Sequence, residues 1–157
     1  MKSLVVYDSF FGNTQKIAEI IAEEIGAESK KVQDVVKEDL QGLDLLVVGS
    51  PTRAFRPSPD ITSFLYNLAE SSLRGVKVSA FDTRIEVKDI KSPVARAFLG
   101  LMIKFFGYAD KPIIKTLIKK GGEVLGETTG FCVLDSKGPL REAEAERAKE
   151  FAQSLRC

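Results

Sequence analysis

The first 25 residues pass from a strand-like run through a turn into a helix-like run. The apolar segment Leu4–Tyr7 is followed by Asp8-Ser9-Phe10-Phe11-Gly12-Asn13-Thr14. Beyond this turn, isoleucines recur at the i, i+3, i+4, i+8 spacing of one buried helical face: Ile17, Ile20, Ile21 and Ile25. A strand that turns into a helix aims several unpaired backbone N–H groups and the positive end of the helix at one point. The junction therefore predicts a site for a phosphate group.

The residues of this turn suit a phosphate site, but they also suit an ordinary turn. Asn13 and Thr14 are good helix-capping types, and Gly12 permits a close approach of the backbone that a side chain would obstruct. Every strand–helix unit needs a turn and a cap, so this stretch alone is equally compatible with no ligand. Features of other segments are needed to distinguish a phosphate site from an ordinary turn.

Size and composition restrict the class of protein. With 157 residues, 44% of them hydrophobic, the chain is predicted to form one domain, 1–157. A formal net charge of +1, with basic residues spread along the chain, does not indicate nucleic-acid binding. Two cysteines, Cys132 and Cys157, and the absence of histidine argue against zinc or disulfide frameworks. Because no signal-peptide pattern follows Met1, we expect a cytoplasmic protein.

Strand-like and helix-like segments alternate along the rest of the chain. The short, charged segment Ser29–Val32 is expected at a sheet edge, and the apolar run Leu43–Gly49 at its centre. The further elements are a short helical stretch at Val35–Leu40, a helix opened by Ser58-Pro59-Asp60, a strand at Val76–Phe81, a helix through Ile113–Ile118, a strand region at Val124–Leu134 and a last helix from Leu140 to Leu155. Five strand candidates alternating with helices predict a doubly wound α/β fold with a parallel sheet.

Ligands of such sheets bind beyond the carboxyl ends of the strands, at a topological switch point. The loops that follow the first, third and fourth strands are Ser9–Thr14, Ser50–Pro57 and the segment from Asp82 onward. We therefore expect these three loops to form one site.

Motifs at these strand ends resemble the flavodoxin family. They are Asp8–Thr14, Gly49-Ser50-Pro51-Thr52, Phe81-Asp82-Thr83-Arg84, and Gly130–Val133 with Gly138-Pro139-Leu140, in the family's order over nearly the whole chain. The resemblance implies a flavodoxin-like five-stranded sheet of order 2-1-3-4-5 with one noncovalent FMN. It assigns cofactor contacts to Ser9, Phe10, Phe11, Gly12, Asn13 and Thr14 at the phosphate, to Pro51, Thr52, Arg53, Ala54 and Phe55 beside the isoalloxazine ring, and to Asp82, Thr83 and Arg84 on the other side of the ring.

The chain departs from the family pattern at two places. Phe11 stands where a second hydroxyl is common, and a lost charge-assisted hydrogen bond of about 1.5–3 kcal/mol would weaken phosphate binding without abolishing it. We expect Phe11, like Phe10, to pack on the adjoining loops. No tyrosine follows the fourth strand, so Arg84 is the candidate to stack on the ring, with a surface salt bridge as the alternative. Phe55 is the second stacking candidate, with a place over the core as its alternative.

Three arginines on the predicted flavin loops bear on redox tuning. Arg53, Arg56 and Arg84 would attract the anionic, fully reduced form of FMN, whereas low-potential members of the family are typically acidic around the flavin. The sequence therefore predicts a potential for this reduced form that is less negative than that of an acidic flavodoxin. The near-neutral charge also argues against docking through a large negative patch.

Residues 84–112 are too long for an ordinary connection between a strand and a helix. The segment is predicted to be a helical insertion that contains the apolar run Pro93–Phe106, which is too short to cross a bilayer and carries Arg96 and Lys104. Three interpretations stay open: a helix packed on the domain, a homodimer or partner surface within residues 93–108, or peripheral membrane contact. Because it follows the fourth strand, the insertion could cover the flavin ring.

The leading functional prediction is an FMN-binding electron carrier that exchanges electrons with redox partner proteins and needs no catalytic residue or metal. An FMN-dependent reductase of quinones or other small acceptors, using NAD(P)H, is an alternative, and so is a flavodoxin-like interaction module without flavin. The sequence does not decide whether the chain is an enzyme, because one doubly wound fold carries many functions.

Overall fold

The computed structural model describes residues 1–156, which form a parallel β-sheet between two helical layers. The strands are β1 (Ser3–Tyr7), β2 (Glu28–Lys31), β3 (Leu45–Pro51), β4 (Lys77–Arg84), β5 (Glu123–Val124) and β6 (Thr129–Cys132). The helices are α1 (Asn13–Ile25), α2 (Pro59–Asn67), α3 (Pro93–Phe106), α4 (Asp110–Lys119) and α5 (Glu144–Ser154), with single 3-10 turns at Val32–Asp34, Lys37–Leu40 and Val87–Asp89.

The strand order confirms the predicted 2-1-3-4-5 topology and corrects one part of it. The sheet runs β2-β1-β3-β4, and both β5 and β6 pair in parallel with β4. The strand region predicted over Val124–Leu134 is therefore two short strands in one sheet position. Gly126, with a φ of 70°, lies between them and turns the chain out of the ladder.

The two helical layers follow from alternation along the strands, whose side chains point to opposite faces in turn. Residues such as Leu4, Val6 and Leu46 pack against α2 and α4, where Ile61 and Ile113 are buried. The opposite face carries Val5, Tyr7, Leu45 and Val47, which pack with Ile17 of α1 and Phe151 of α5. Central strands buried on both faces explain the near-continuous apolar runs.

Three element boundaries can be compared with the prediction, and the first of them concerns the site. The fourth strand continues to Arg84 instead of ending at Phe81, so Asp82, Thr83 and Arg84 belong to β4 and have alternating orientations. The helical stretch predicted at Val35–Leu40 is only a 3-10 turn at its end. The start of α2 agrees with the prediction, because the Ser58 hydroxyl accepts a hydrogen bond from the Ile61 N–H and Pro59 occupies the first turn.

The extra helical segment after the fourth strand is confirmed as α3, with the predicted bounds Pro93–Phe106. Its start is capped by the Ser92 hydroxyl, which accepts from the Ala95 N–H at 3.3 Å. Unlike the other α-helices, α3 has no buried residue. None of the described helices has the length and apolar character that a transmembrane span requires.

We expect Gly49→Ala to destabilise the sheet, because a Cβ at this position would lie inside van der Waals contact with the Phe81 ring across the β3–β4 pair. Overpacking of this kind costs about 1–3 kcal/mol. Chemical denaturation measures the loss in the free energy of unfolding.

Gly100→Ala in α3 is the matched control, because its added methyl meets only an ordinary contact of 3.7 Å with the Val87 side chain. This substitution should be neutral or stabilising by about 0.5–1 kcal/mol through helix propensity. Equal effects of the two substitutions would contradict the close packing of Gly49 on Phe81.

Candidate functional site at the strand ends

The loop after β1 holds its shape through its own side chains. Buried Asp8 accepts a hydrogen bond from the Ser9 N–H at 2.9 Å, and the Ser9 hydroxyl accepts from the Gly12 N–H at 3.0 Å. Gly12 has a φ of 90° and forms the N-cap of α1 without a side chain to cap it. The first N–H groups of α1, beginning at Asn13, are therefore left for an external acceptor at the positive end of the helix.

A pair of hydroxyls joins this loop to the end of β4. Buried Thr14 lies with its Oγ1 2.8 Å from the Oγ1 of Thr83, which is also buried. Within such a pair one O–H donates to the other, so the second proton remains available for another acceptor. The arrangement places an O–H donor beside the open N–H groups of α1.

The loop after β3 is a tight two-residue hairpin. Arg53 and Arg56 exchange backbone hydrogen bonds of 2.9 Å in both directions. The two residues between them, Ala54 and Phe55, have positive φ values of 47° and 66°. This geometry fits the twist of a hairpin but costs roughly 1–2 kcal/mol for each residue other than glycine. The strained turn sends the side chains on either side of it in different directions.

Arg53 lies toward the phosphate loop. Its guanidinium carbon is 4.9 Å from the centre of the Phe10 ring and 5.2 Å from the centre of the Phe11 ring. Both phenylalanines therefore contact the neighbouring loop. Cation–π contact of this kind is attractive even at exposed positions, so Arg53 bridges the first and second loops.

Phe55 lies on the other side of the hairpin, away from the phosphate loop. Its ring stacks on Phe106 of α3, with centroids 6.2 Å apart and an interplanar angle of 27°. It lines an apolar groove of about 800 Å³ together with Met102 and Leu65. The structure thus gives Phe55 an aromatic partner within the chain instead of a position in the strand-end cleft.

Arg84 is half-buried and is held by two buried carboxylates at the end of β4. Its Nε and NH2 groups donate to the two carboxylate oxygens of Asp82 at 2.6 and 2.5 Å, and NH2 lies 3.3 Å from Asp110 of α4. The guanidinium also covers the Tyr108 ring at 3.7 Å. The salt bridge considered from the sequence is therefore present, and it joins a half-buried guanidinium to a fully buried carboxylate. Arg84 stacks on a tyrosine of this chain.

The two carboxylates of the cluster are buried, and the Arg84 side chain is 17% exposed. Asp82 is fully buried, and burial raises the pKa of its carboxyl group from 3.8 to about 6, against the opposing effect of the hydrogen bonds from Arg84. Asp110 is tied in by its own N–H, which donates to Asp82 at 3.1 Å, and by the Thr128 hydroxyl at 2.7 Å. These contacts join β4 to the start of α4.

The three loops enclose a cleft of about 160 Å³ at the carboxyl end of the sheet. Its lining includes most of the predicted contact residues: Ser9, Phe10, Phe11, Asn13, Thr14, Pro51, Thr52, Arg53, Ala54, Thr83 and Arg84. Gly12, Phe55 and Asp82 do not line it, because Gly12 is exposed at the loop tip, Phe55 turns to α3 and Asp82 is fully buried in its ion pair with Arg84.

The cleft is also lined by three residues that were not predicted from the sequence: Ile85, Val133 and Ser136. Val133 and Ser136 follow β6, so the rule that ligands gather at carboxyl ends of strands would have found them if applied to the last strand as well. Ile85 follows directly after β4. A larger cavity of about 840 Å³ lies beside the 3-10 turns at 32–40 and α2, and not among the three loops.

A parallel sheet of this order with a cleft at its switch point defines the doubly wound class of ligand-binding proteins. The sequence profile of the flavodoxin domain matches residues 4–120, which is more than half of the chain. The chain belongs to the flavodoxin family.

Comparison with relatives and solved structures supports the assignment. A flavodoxin of Maridesulfovibrio salexigens is 38% identical over 89 residues, but the match covers only 51% of this chain and 61% of that protein. An uncharacterised protein of Methanocaldococcus jannaschii is 29% identical over 166 residues, covering 99% of this chain and 98% of that one. A solved archaeal flavodoxin superposes with a TM-score of 0.76 at 20% identity, over 99% of this chain and 96% of that chain. Oxidised Flavodoxin 1 of Bacillus cereus gives 0.74 at 20% identity, over 99% and 97%.

The comparisons confirm the predicted fold and family, and with them FMN as the cofactor that proteins of this family bind. The extent of the domain, the individual contact residues, the redox partners and the cytoplasmic location stay predictions. The prediction that involved Cys157 lies outside the described residues.

We expect the buried Asp82 carboxyl to give folding stability a pH dependence. Because its pKa is about 6 in the folded protein and 3.8 in its ordinary state, the folded chain binds more protons than the unfolded chain between these values. The contribution to stability is therefore complete below about pH 4 and is lost as the pH rises through 6. A shift of this size corresponds to about 2–3 kcal/mol.

Denaturation of the protein and of Asp82→Asn at several pH values measures this effect. Subtracting the two free energies of unfolding cancels the pH dependence that comes from all other carboxyl groups. The protein should lose stability relative to the variant between pH 4 and pH 7. A difference that is constant over this range would mean that the Arg84 hydrogen bonds outweigh burial.

Proposed function

We propose that the chain binds one FMN at the strand-end cleft and carries electrons between redox partner proteins. The observation that carries this proposal is the Thr14–Thr83 hydroxyl pair beside the uncapped start of α1. Together these groups provide O–H and N–H donors at one point, which is the donor chemistry that a phosphate requires.

The phosphate of FMN would be held mainly by neutral donors. The N–H groups at the start of α1, the Thr14 hydroxyl and the Ser9 hydroxyl surround the place, and the helix dipole adds a favourable field. The Phe11 side chain contributes no donor to this set, and the weaker phosphate binding expected from the sequence stays a prediction. These groups fit a phosphate without any lysine.

The isoalloxazine ring would lie at the rim of the cleft, not inside it. The enclosed volume of about 160 Å³ is below the roughly 300 Å³ at which pockets enclose a whole small molecule. It therefore suits a phosphate and its attached chain, with the ring outside. When bound, FMN supplies the redox chemistry, while the protein sets its position and electrostatic surroundings.

Arg53 is the cation best placed to act on the ring. Arg84 is neutralised by Asp82 and Asp110, and Arg56 lines the groove on the far side of the hairpin. Arg53 lines the cleft and is exposed, and its guanidinium contacts two phenylalanines, not a carboxylate, in the described chain. Of the three arginines expected near the flavin, we therefore assign the electrostatic effect to Arg53.

The small cleft favours a carrier over a reductase. A reductase needs a substrate cavity over the flavin, and the loops enclose only about 160 Å³, which is taken up by the phosphate and its attached chain. A ring at the rim would instead be open to contact with a partner protein, which is sufficient for electron transfer. Rapid oxidation of NAD(P)H with a small acceptor by the FMN-loaded protein would favour the reductase.

Titration of the protein with FMN should give a quenched, protein-bound flavin at one equivalent. Thr14→Val should weaken FMN binding by about 10- to 100-fold, because it removes one hydrogen bond to a charged group while keeping the side-chain shape. Thr62→Val, at an exposed position of α2, should leave the affinity unchanged. Flavin fluorescence measures the FMN affinity of the unmodified protein and of both variants. An unmodified protein that binds no FMN would refute the proposal.

Arg53→Gln should make the potential of the fully reduced FMN more negative by some tens of millivolts. The substitution removes a positive charge that attracts the anionic reduced cofactor, and solvent screening keeps the effect modest. Arg56→Gln is a matched control in the same hairpin, because its side chain lines the opposite groove.

Potentiometric titration of the three FMN-loaded proteins makes this comparison. Equal shifts of the potential in the two variants would show that the charge of either arginine acts on the flavin, whichever side of the hairpin its side chain occupies. A value for the unmodified protein as low as that of an acidic flavodoxin would contradict the prediction made from its arginines.

A further inference from the structure

The inserted helix α3 carries an apolar stripe that faces away from the domain. Val94, Phe98, Leu101 and Phe105 follow the i, i+4, i+7, i+11 spacing that places side chains on one helix face. Their exposed fractions are 80%, 60%, 54% and 74%. We call these four residues the outer face of α3.

The opposite side of the helix already attaches α3 to the domain. Ala95, Leu99, Met102 and Ile103 are half-buried, and Phe106 stacks on Phe55. Packing on the domain therefore accounts for this second set of apolar residues and leaves the outer face without a role in folding. A cluster of large apolar side chains left in water in this way marks an interaction surface.

Charge around the outer face has one sign. From Ile90 to Ala109 the chain contains Lys91, Arg96 and Lys104 and no acidic residue, although the whole chain has a net charge of only +1. The Arg96 guanidinium donates to the Ile90 carbonyl, which leaves its charge uncompensated. The segment that carries the apolar stripe is thus positively charged and would be attracted to a negatively charged surface.

We propose that the outer face of α3 docks on the surface of a lipid bilayer that contains anionic lipids. A helix of 14 residues is about 21 Å long, which is too short to span but suits a position in the plane of the interface. The four apolar side chains would enter the boundary between headgroups and acyl chains, and the cations would lie at the level of the anionic headgroups.

A second copy of the chain fits the same face less well. Packing two outer faces together would bring the Lys104 cations of both copies toward one interface without a carboxylate on α3 to pair with them. Four side chains also fall short of the roughly 20 residues a side that stable protein interfaces use. The charge and the size of the stripe both favour lipid.

The proposed docking is separate from FMN binding, although the two sites are neighbours. Phe106 contacts Phe55, and Phe55 belongs to the hairpin that carries Arg53. Docking through α3 would therefore hold the cleft close to the bilayer surface. Binding to vesicles is measured without added FMN, so its outcome does not depend on whether the chain binds flavin.

Flotation with phosphatidylcholine vesicles that contain either no anionic lipid or about 30% phosphatidylglycerol tests the proposal. The protein should float with the anionic vesicles, less with the neutral ones, and less again in high salt. Phe98→Ser with Phe105→Ser should reduce the bound fraction about tenfold or more, since both side chains enter the interface. Val36→Ser with Leu134→Ser removes two apolar side chains of similar exposure elsewhere and should float like the unmodified protein.

A fluorescence probe gives a second, independent measurement, because the chain contains no tryptophan. Phe98→Trp should show a blue shift of its emission on anionic vesicles, whereas Leu134→Trp should not. Circular dichroism checks that each variant is folded.

Several results would overturn the proposal. The protein could stay in the aqueous fraction with both kinds of vesicle, or the double α3 variant could float as well as the unmodified protein. Light scattering could instead reveal a dimer that the double α3 variant abolishes while vesicle binding is absent, which would assign the face to a second copy.

Discussion

The half-buried guanidinium of Arg84 connects the parts of the molecule on which the cleft depends. A cation taken out of water is tolerated only where carboxylates and hydrogen bonds compensate for its lost hydration. Asp82 and Asp110 provide this compensation from β4 and from the start of α4. Because Asp82 and Arg84 point to one face of β4, Thr83 between them points to the other and meets Thr14. Three consecutive residues of β4 therefore supply the ion pair on one face of the strand and the Thr83 hydroxyl on the other.

The hairpin after β3 separates two surfaces in a similar way. Its turn is held in a conformation that residues other than glycine rarely adopt, and such strain is common where side chains must be aimed. Arg53 faces the cleft, while Phe55 faces α3. One short loop therefore links the proposed cofactor site to the proposed membrane-docking helix.

The sequence predicted the sheet, its order and the positions of the loops, because strand alternation, helix periodicity and capping are local signals. It also predicted the bounds of α3, where Ser92 and Pro93 mark the start. The orientation of Phe55 could not be predicted, since it depends on Phe106, 51 residues further along the chain. The burial of Arg84 likewise depends on Asp110, which comes from a distant helix. The break between β5 and β6 follows from a single glycine whose φ the sequence does not reveal.

Gly130 has a consequence for how this chain can vary among its relatives. It pairs with Asp82 in the β4–β6 ladder, and a Cβ at this position would overlap the guanidinium of Arg84. The space that Arg84 occupies exists only because residue 130 has no side chain. The two positions should therefore covary in evolution: homologous sequences with a bulkier residue at 130 should carry a smaller, uncharged residue at 84, together with a loss of the acidic residue at 82 or 110.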